Sequence, residues 1–227
     1  MKLTLNKYKK ILLLAKKYNL SKFELITNYG LFCGDLNLYK TLKIFELLMS
    51  TARLKGDIIE LGLWKGNNSL LIKKIIDIWK IKKKLYLLDH FLGLNHFSKN
   101  DKASRKRYYL SFQSSKNFLI DFLKFFNFKN YKIIDKDATT LNENFFKNKK
   151  FCFVYFDMDL YEPTIRALES IKNNVVKNGI IVFDQGTVKA WGEKYAIQEF
   201  LKKNPNFKKI LITKKHQPDV MLKKIKD

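Results

Sequence analysis

The stretch Asp57-Ile58-Ile59-Glu60-Leu61-Gly62-Leu63-Trp64-Lys65-Gly66-Asn67-Asn68-Ser69 decides how this chain folds. Asp57–Leu61 is short and apolar enough for a strand buried on both faces. Gly62 and Gly66 mark a turn, and from Asn67 to Trp79 the apolar residues return at helical spacing. A strand passing through a glycine turn directly into a helix begins an alternating α/β architecture.

The same alternation continues downstream. Strands are predicted at Lys84–Asp89, Tyr131–Ile134, Phe151–Asp157, Gly179–Asp184, Lys208–Thr213 and Val220–Ile225, with helices at Ser114–Phe126, Pro163–Val175 and Glu193–Lys202. Uninterrupted apolar runs such as Phe151–Phe156 and Ile180–Phe183 suit strands covered on both faces of a parallel, doubly wound sheet. Lys214 to Asp219 is too short for a parallel crossover, so the last two strands should form an antiparallel hairpin at the sheet edge. Upstream, Leu5, Tyr8, Ile11, Leu12 and Ala15 recur at helical spacing, and Leu38–Arg53 would place Leu42, Phe45, Leu48 and Met49 on one face. Turns are expected at Asn28-Tyr29-Gly30 and Cys33-Gly34-Asp35. The expected organisation is a helical extension or lid over residues 1–55 and a catalytic α/β domain over 56–227.

Composition narrows the class. The chain has 227 residues, 46% of them hydrophobic, with only three prolines and nine glycines, which suits one sizeable core without a linker between autonomous halves. Cys33 and Cys152 are far apart, and Cys152 sits in an apolar run, so a buried thiol is expected rather than a disulfide. The run Ile11–Ala15 is too short for a signal sequence, and no segment approaches the roughly 18 apolar residues needed to span a bilayer. The expectation is a cytoplasmic protein with no membrane span.

The formal charge of +24 raises the question of a polyanionic partner. Its distribution answers it. Lysines are spread over nearly every segment, and arginine stands only at Arg53, Arg105, Arg107 and Arg166. Base readout leans on arginine, so a dispersed lysine coat points to a solvated surface and to no specific nucleic acid. An anionic small substrate stays compatible with the field, as does a homo-oligomer.

In open α/β sheets ligands lie beyond the carboxyl ends of the strands, so the residues there carry the chemistry. Glu60 could take the ammonium of an amino-acid moiety, while Gly62 and Gly66 allow close backbone approach and Asn67 or Ser69 could cap the helix. Asp89 is placed to accept from two ribose hydroxyls, with Phe91 beside it. Asp137-Ala138 is placed at the adenine edge. Each acid alone could equally be a cap or a solvated turn. Together they describe a cationic, adenosine-bearing ligand. Strand four ends in Asp157-Met158-Asp159-Leu160-Tyr161-Glu162-Pro163-Thr164 and strand five in Asp184-Gln185. Neighbouring strands would juxtapose Asp157 and Asp184, hard oxygen donors suited to Mg²⁺, with a carbonyl oxygen from Gln185. The bland alternative is that Asp159 and Asp184 cap the elements that follow.

On these residues the chain resembles the macrocin and mycinamicin O-methyltransferase family, including its deoxyhexose 3-O-methyltransferase relatives. The resemblance runs from Asn28 to about Ala196. It rests on Asn28-Tyr29-Gly30-Leu31-Phe32, Gly56-Asp57-Ile58-Ile59-Glu60-Leu61-Gly62, Asp89-His90-Phe91-Leu92-Gly93-Leu94, the Asp157–Thr164 run and Trp191-Gly192-Glu193. It implies a Rossmann-like class I methyltransferase fold with a mostly parallel seven-stranded sheet and an antiparallel C-terminal hairpin. It also implies S-adenosylmethionine as donor, Mg²⁺ as cofactor, and a sugar or nucleotide-sugar hydroxyl as acceptor. The family's metal ligands carry over to Asp157, Asp184 and position 185. Here position 185 is Gln rather than an acid, Leu92 stands where relatives often have Glu, and Gly186–Ala190 departs from the usual sequence. Methyl transfer needs a base for the acceptor proton: Asp157 is the first candidate, and His90 and His96 in the loop after the second strand are the others. Tyr108 and Tyr109, in the basic segment Lys102–Tyr109, are placed to close over an acceptor. An amine or catechol-like acceptor is the alternative within the class, and a basic nucleic-acid-binding protein the alternative outside it.

Overall fold

The computed structural model describes residues 2–25 and 37–226, so the turns expected at Asn28–Gly30 and Cys33–Asp35 lie outside the described residues. By internal contacts the chain divides into two compact units, Met1–Lys43 and Ile44–Asp227. In the first, helix α1 (Lys2–Lys17) ends on Lys16 and Lys17, whose charges face the carbonyl end of the helix dipole. Ser21 and Glu24 then bond reciprocally, each side chain accepting from the other's backbone N–H at 3.1 and 2.7 Å, a capping box opening the next turn. Helix α2 (Leu38–Thr51) is capped by Asn37, whose Oδ1 accepts from the Lys40 N–H at 2.9 Å. Its buried stripe is Ile44, Leu47, Leu48 and Thr51; of the expected face Leu48 is buried and Phe45 and Met49 pack against the core, while Leu42 is 57% exposed.

The second unit is built on one seven-stranded sheet in the order β3-β2-β1-β4-β5-β7-β6. The strands are β1 (Asp57–Leu61), β2 (Leu85–Asp89), β3 (Tyr131–Asp135), β4 (Phe151–Phe156), β5 (Val175–Phe183), β6 (Phe207–Leu211) and β7 (Val220–Lys224). The first five pair in parallel, and β7 runs antiparallel to both β5 and β6, as the short Lys214–Asp219 connection requires. The helices are α3 (Asn67–Ile78), α4 (Lys116–Phe125), α5 (Tyr161–Ile171) and α6 (Glu193–Lys203). Every residue of β4 is buried, so both sheet faces are covered and the two halves of the apolar core meet on this strand. At the outer edge the exposed Lys208 and Lys209 of β6 discourage pairing with another chain.

One expected boundary is wrong for a definite reason. The helix predicted to reach Val175 stops at Ile171, and β5 begins at Val175 instead of Gly179. Buried Asn174 makes the break by donating from Nδ2 to the Phe146 and Lys149 carbonyls at 2.7 and 2.8 Å. Pro163 sits inside the first turn of α5, where a missing N–H costs nothing because those donors have no helical acceptor. Cys152 is fully buried with Sγ against the Gly56 and Asp57 carbonyls, and burial pushes its thiol pKa up. Among the described residues no helix is long and apolar enough to cross a membrane.

Asn174→Ala should cost on the order of 1–3 kcal/mol, because the Phe146 and Lys149 carbonyls each lose an amide donor. Equilibrium urea unfolding measures it; a loss below about 0.5 kcal/mol would mean that Asn174 does not set the start of β5.

Candidate active site

The order β3-β2-β1-β4-β5 reverses direction of winding at β1, which makes the carboxyl ends of β1 and β4 the switch point. Gly62 leaves β1 at φ +84°, and a β-carbon there would lie 2.1 Å from the Asp157 carbonyl oxygen. Only glycine fits both constraints. The end of β1 is therefore laid directly against the end of β4, and the site divides into two halves on either side of that contact.

One half gathers around the ends of β1, β2 and β3. Fully buried Glu60 accepts from the Ser69 hydroxyl at 2.6 Å, which ties the strand to the first turn of α3. The expected side-chain cap of α3 is absent: Gly66 holds the N-cap position at φ +80° with no side-chain bond, Ser69 is turned to Glu60, and Asn67 is exposed. Asp89 braces the glycine turn, accepting from the Leu63 and Trp64 N–H groups at 2.7 and 3.2 Å and from the Phe91 N–H at 2.7 Å. Phe91 takes φ +62° and is buried in the core. Asp137 caps a 3₁₀ turn (Ala138–Thr140), accepting from the Thr139 N–H and hydroxyl at 2.8 Å each.

Both candidate histidines join this half. His90 Nδ1 lies 3.4 Å from Asp89 Oδ1 and its Nε2 3.0 Å from Asn95 Oδ1, while His96 Nε2 lies 2.6 Å from Asp137 Oδ2. Their rings stack with centroids 6.0 Å apart. Among the described residues, His90, His96 and Asp137 form the one set of three His, Cys, Asp or Glu side chains whose ligand atoms all lie within 4.8 Å of one another. The acids after β4 and β5 do not close to that spacing in any such set.

The other half holds those acids. Phe156 pairs with Phe183, so Asp157 and Asp184 leave the sheet side by side, as the sequence suggested. Asp184 is 3% exposed and its Oδ1 accepts from the Tyr155 hydroxyl at 2.5 Å; Asn68 Nδ2 donates to Asp157 Oδ2 at 3.4 Å. Gln185 donates twice, from Nε2 to Asp159 Oδ1 at 2.8 Å and from its backbone N–H to Glu193 Oε2 at 3.0 Å. Glu193 is wholly buried and its Oε1 has no hydrogen-bond partner. Burial, then the charges of Asp159 and Asp157, push its pKa well above the carboxylate range. The divergent Gly186–Ala190 segment is pinned by Asp219, which accepts from the Thr187 N–H at 2.9 Å.

Sequence reading missed Tyr155, Asn68 and Glu193 as contributors. Tyr155 looked like one more core residue of an apolar run, Asn68 had no signal of its own, and Glu193 read as the first residue of a helix.

The Asp89–His90 pair gives a pH test. Burial alone would raise the Asp89 pKa, but the bonds from His90 and from the Leu63 and Phe91 N–H groups outweigh it and hold it below the ordinary 3.8. The bond to Asp89 lifts His90 above the ordinary 6.5 against burial. The carboxylate's contribution is present above 3.8 and lost as pH falls through its lowered value. The imidazolium's contribution is whole below 6.5 and lost as pH rises through its raised value. Asp89→Asn should therefore lower Tm most between these two pH values, with the deficit shrinking on both sides. A deficit independent of pH in a thermal melt series would show that the pair is not coupled.

Comparison with known proteins agrees with this geometry. The macrocin-O-methyltransferase (TylF) family pattern matches residues 37–213. The fold is similar to that of CalS11, a calicheamicin methyltransferase, with TM-score 0.77 and 20% identity over 98% of this chain and 93% of that one. The O-methyltransferase NovP gives TM-score 0.71 and 16% identity over 85% of this chain and 81% of that one. A Bacillus cereus O-methyltransferase in complex with SAH gives 0.57 and 11% over 97% and 91%. No curated protein matches the chain. A seven-stranded sheet with a reversed C-terminal hairpin, acids at consecutive strand ends and a family match across most of the sequence identify the chain as an O-methyltransferase of class I fold that belongs to the macrocin-O-methyltransferase family.

Proposed function

We propose that this enzyme transfers a methyl group from S-adenosylmethionine to a sugar hydroxyl, with Mg²⁺ at the ends of β4 and β5. The observation that carries this reading is the side-by-side exit of Asp157 and Asp184 from paired strands, beside Gln185 and the buried Glu193 with an oxygen left unbonded. Every donor in that set is a hard oxygen, which fits a hard divalent cation. Among the neighbours, CalS11 is described as a TDP-rhamnose 3'-O-methyltransferase, and the Bacillus cereus enzyme carries SAH, the demethylated donor. We take residues 1–55 as an extension of a 56–227 catalytic domain, working in the cytoplasm on a sugar or nucleotide-sugar.

In this reading Asp89, Glu60, Gly62, Gly66, Phe91, Asp137 and Ala138 bound the donor, while Asn67 and Ser69 act only through the first turn of α3. Asp89 and Asp137 already have oxygens bonded to neighbouring N–H and hydroxyl groups, so their orientation is fixed before a ligand arrives. The reaction forms a bond from the acceptor oxygen to the donor methyl carbon, breaks the carbon–sulfur bond and releases the hydroxyl proton. When bound, the cation lowers the acceptor hydroxyl pKa and orients it. Asp157 is the residue that takes the proton, because it stands on the acceptor side of the β1–β4 contact. His90 and His96 follow β2, with β1 between them and β4, and bond to the donor-side acids. Tyr155 positions Asp184 through its hydroxyl.

S-adenosylhomocysteine should raise Tm, and Asp89→Ala should weaken its binding, readable by calorimetry. EDTA should stop turnover and leave the donor bound. Asp157→Asn and Asp184→Asn should each slow methyl transfer by roughly a hundredfold with the fold intact. Gln185→Glu adds a carboxylate and should move Mg²⁺ half-saturation to lower concentration. Full activity in EDTA would overturn the metal, and absence of any donor binding would overturn the reaction.

A further inference from the structure

The ends of β2 and β3 and the loop that follows β2 bring together two imidazoles and a carboxylate. Asp89 and Asp135 pair across the two parallel strands, and the Asp89 carbonyl accepts from the Lys136 N–H at 3.0 Å, which carries the ladder one step past β3. His90 and Asp137 therefore leave the sheet side by side. The third residue, His96, comes from the loop, whose course is fixed on either side of it. Before it, the Leu94 N–H donates to the Ser111 carbonyl at 3.0 Å and the Leu94 carbonyl accepts from the Leu110 N–H at 2.8 Å. After it, Asp101 Oδ1 accepts from the Tyr161 N–H at 3.1 Å.

The ligand atoms of His90, His96 and Asp137 all lie within 4.8 Å of one another, and His96 Nε2 is 2.6 Å from Asp137 Oδ2. Around a tetrahedral ion with bonds of about 2.0–2.2 Å the donors stand roughly 3.3 Å apart, so side-chain adjustments of roughly 1.5 Å or less would close the set. The three side chains are 21%, 35% and 27% exposed, which lets an ion enter from solvent. Two of them are also held from behind. His90 has an oxygen facing each ring nitrogen, Asp89 Oδ1 at 3.4 Å from Nδ1 and Asn95 Oδ1 at 3.0 Å from Nε2, so whichever nitrogen binds an ion, the other keeps an acceptor. Asp137 Oδ1 accepts from the Thr139 N–H and hydroxyl at 2.8 Å each, which leaves Oδ2 to His96. Two imidazole nitrogens and one carboxylate oxygen are a borderline donor set that favours Zn²⁺ over Mg²⁺, the reverse of the all-oxygen set after β4 and β5.

We propose that His90, His96 and Asp137 form a second metal site, selective for Zn²⁺-like cations, and that its occupant and the methyl donor exclude each other. The first half stands on the three side chains alone. The second rests on the donor reading above, in which Asp137 lies at the adenine edge: with Oδ1 held by Thr139, both a cation and an adenine amine would need Oδ2. A Zn²⁺ ion would thus clamp the loop after β2 onto the end of β3 and keep the donor out.

The test is calorimetric titration of the donor-free protein with Zn²⁺. One ion should bind per chain, and a large excess of Mg²⁺ should leave it in place. His90→Ala and His96→Ala should each weaken Zn²⁺ by about tenfold or more, and Asp137→Asn should do the same while keeping an oxygen for Thr139. His96 is half-exposed in a loop, so its replacement leaves folding intact and keeps the test valid if another variant unfolds. Replacing His216, the third histidine and no member of the set, should leave Zn²⁺ binding unchanged. Co²⁺ should give the intense visible absorption of a four-coordinate nitrogen–oxygen site in wild type and not in His96→Ala. Equal Zn²⁺ affinity of wild type and His96→Ala would overturn the site, as would displacement by Mg²⁺ or a loss on His216→Ala instead. Saturation with S-adenosylhomocysteine should weaken Zn²⁺ by about tenfold or more, and an unchanged affinity would overturn the exclusion. Failure of S-adenosylhomocysteine to bind metal-free wild type sinks the donor reading, whereas protein that binds it but not Zn²⁺ sinks this site alone.

Discussion

The contact between residue 62 and the Asp157 carbonyl is the constraint on which the site depends. A β-carbon has no room there, so β1 and β4 approach more closely at their ends than side chains would permit. That closeness brings the turn into α3 against the turn into α5. It lets Asn68, on the first helix, reach Asp157, on the neighbouring strand's end. The switch point is thus a backbone-to-backbone joint, and the ligand-facing side chains are arranged around it.

Around this joint the protein buries acids in a chain of charge +24. Asp89 and Asp137 are met by backbone N–H groups, hydroxyls and histidines, and Asp184 by Tyr155. Two of the buried lysines bond to backbone carbonyls: Lys83 donates to those of Leu54 and Gly56, and Lys224 to that of Val175. Hydrogen bonds fix carboxylate orientation without cancelling its charge, which a direct ion pair would do.

Strand positions were legible because a two-face-buried sheet demands continuous apolar runs, and no polar residue interrupts Phe151–Phe156. The reversed hairpin followed from the length of one connection. The β5 boundary was not legible, because Asn174 ends the helix through carbonyls at Phe146 and Lys149, far away in sequence. Asp157 and Asp184 could be paired in advance since strand adjacency fixes their distance. The histidines could not be assigned, since loop residues carry no register: both turn to the acids after β2 and β3. The helix-cap role expected of Asn67 or Ser69 failed because Glu60, buried beneath the turn, takes the Ser69 hydroxyl.

The two halves differ in how their charges are satisfied. On the β2–β3 side, hydrogen bonds overcome burial and lower the pKa values of Asp89 and Asp137, so those carboxylates stay ionised and oriented. A ligand entering there meets acceptors already fixed in place, as recognition of a neutral ribose or an adenine amine requires. Across the β1–β4 joint, Glu193 is held among Asp159, Asp157 and Asp184 with its pKa raised and one oxygen unbonded. On the proposed function, binding by shape and hydrogen bonds belongs to the β2–β3 half and activation of the acceptor to the β4–β5 half. Methyl transfer needs both at once, and the glycine joint sets them within reach of each other.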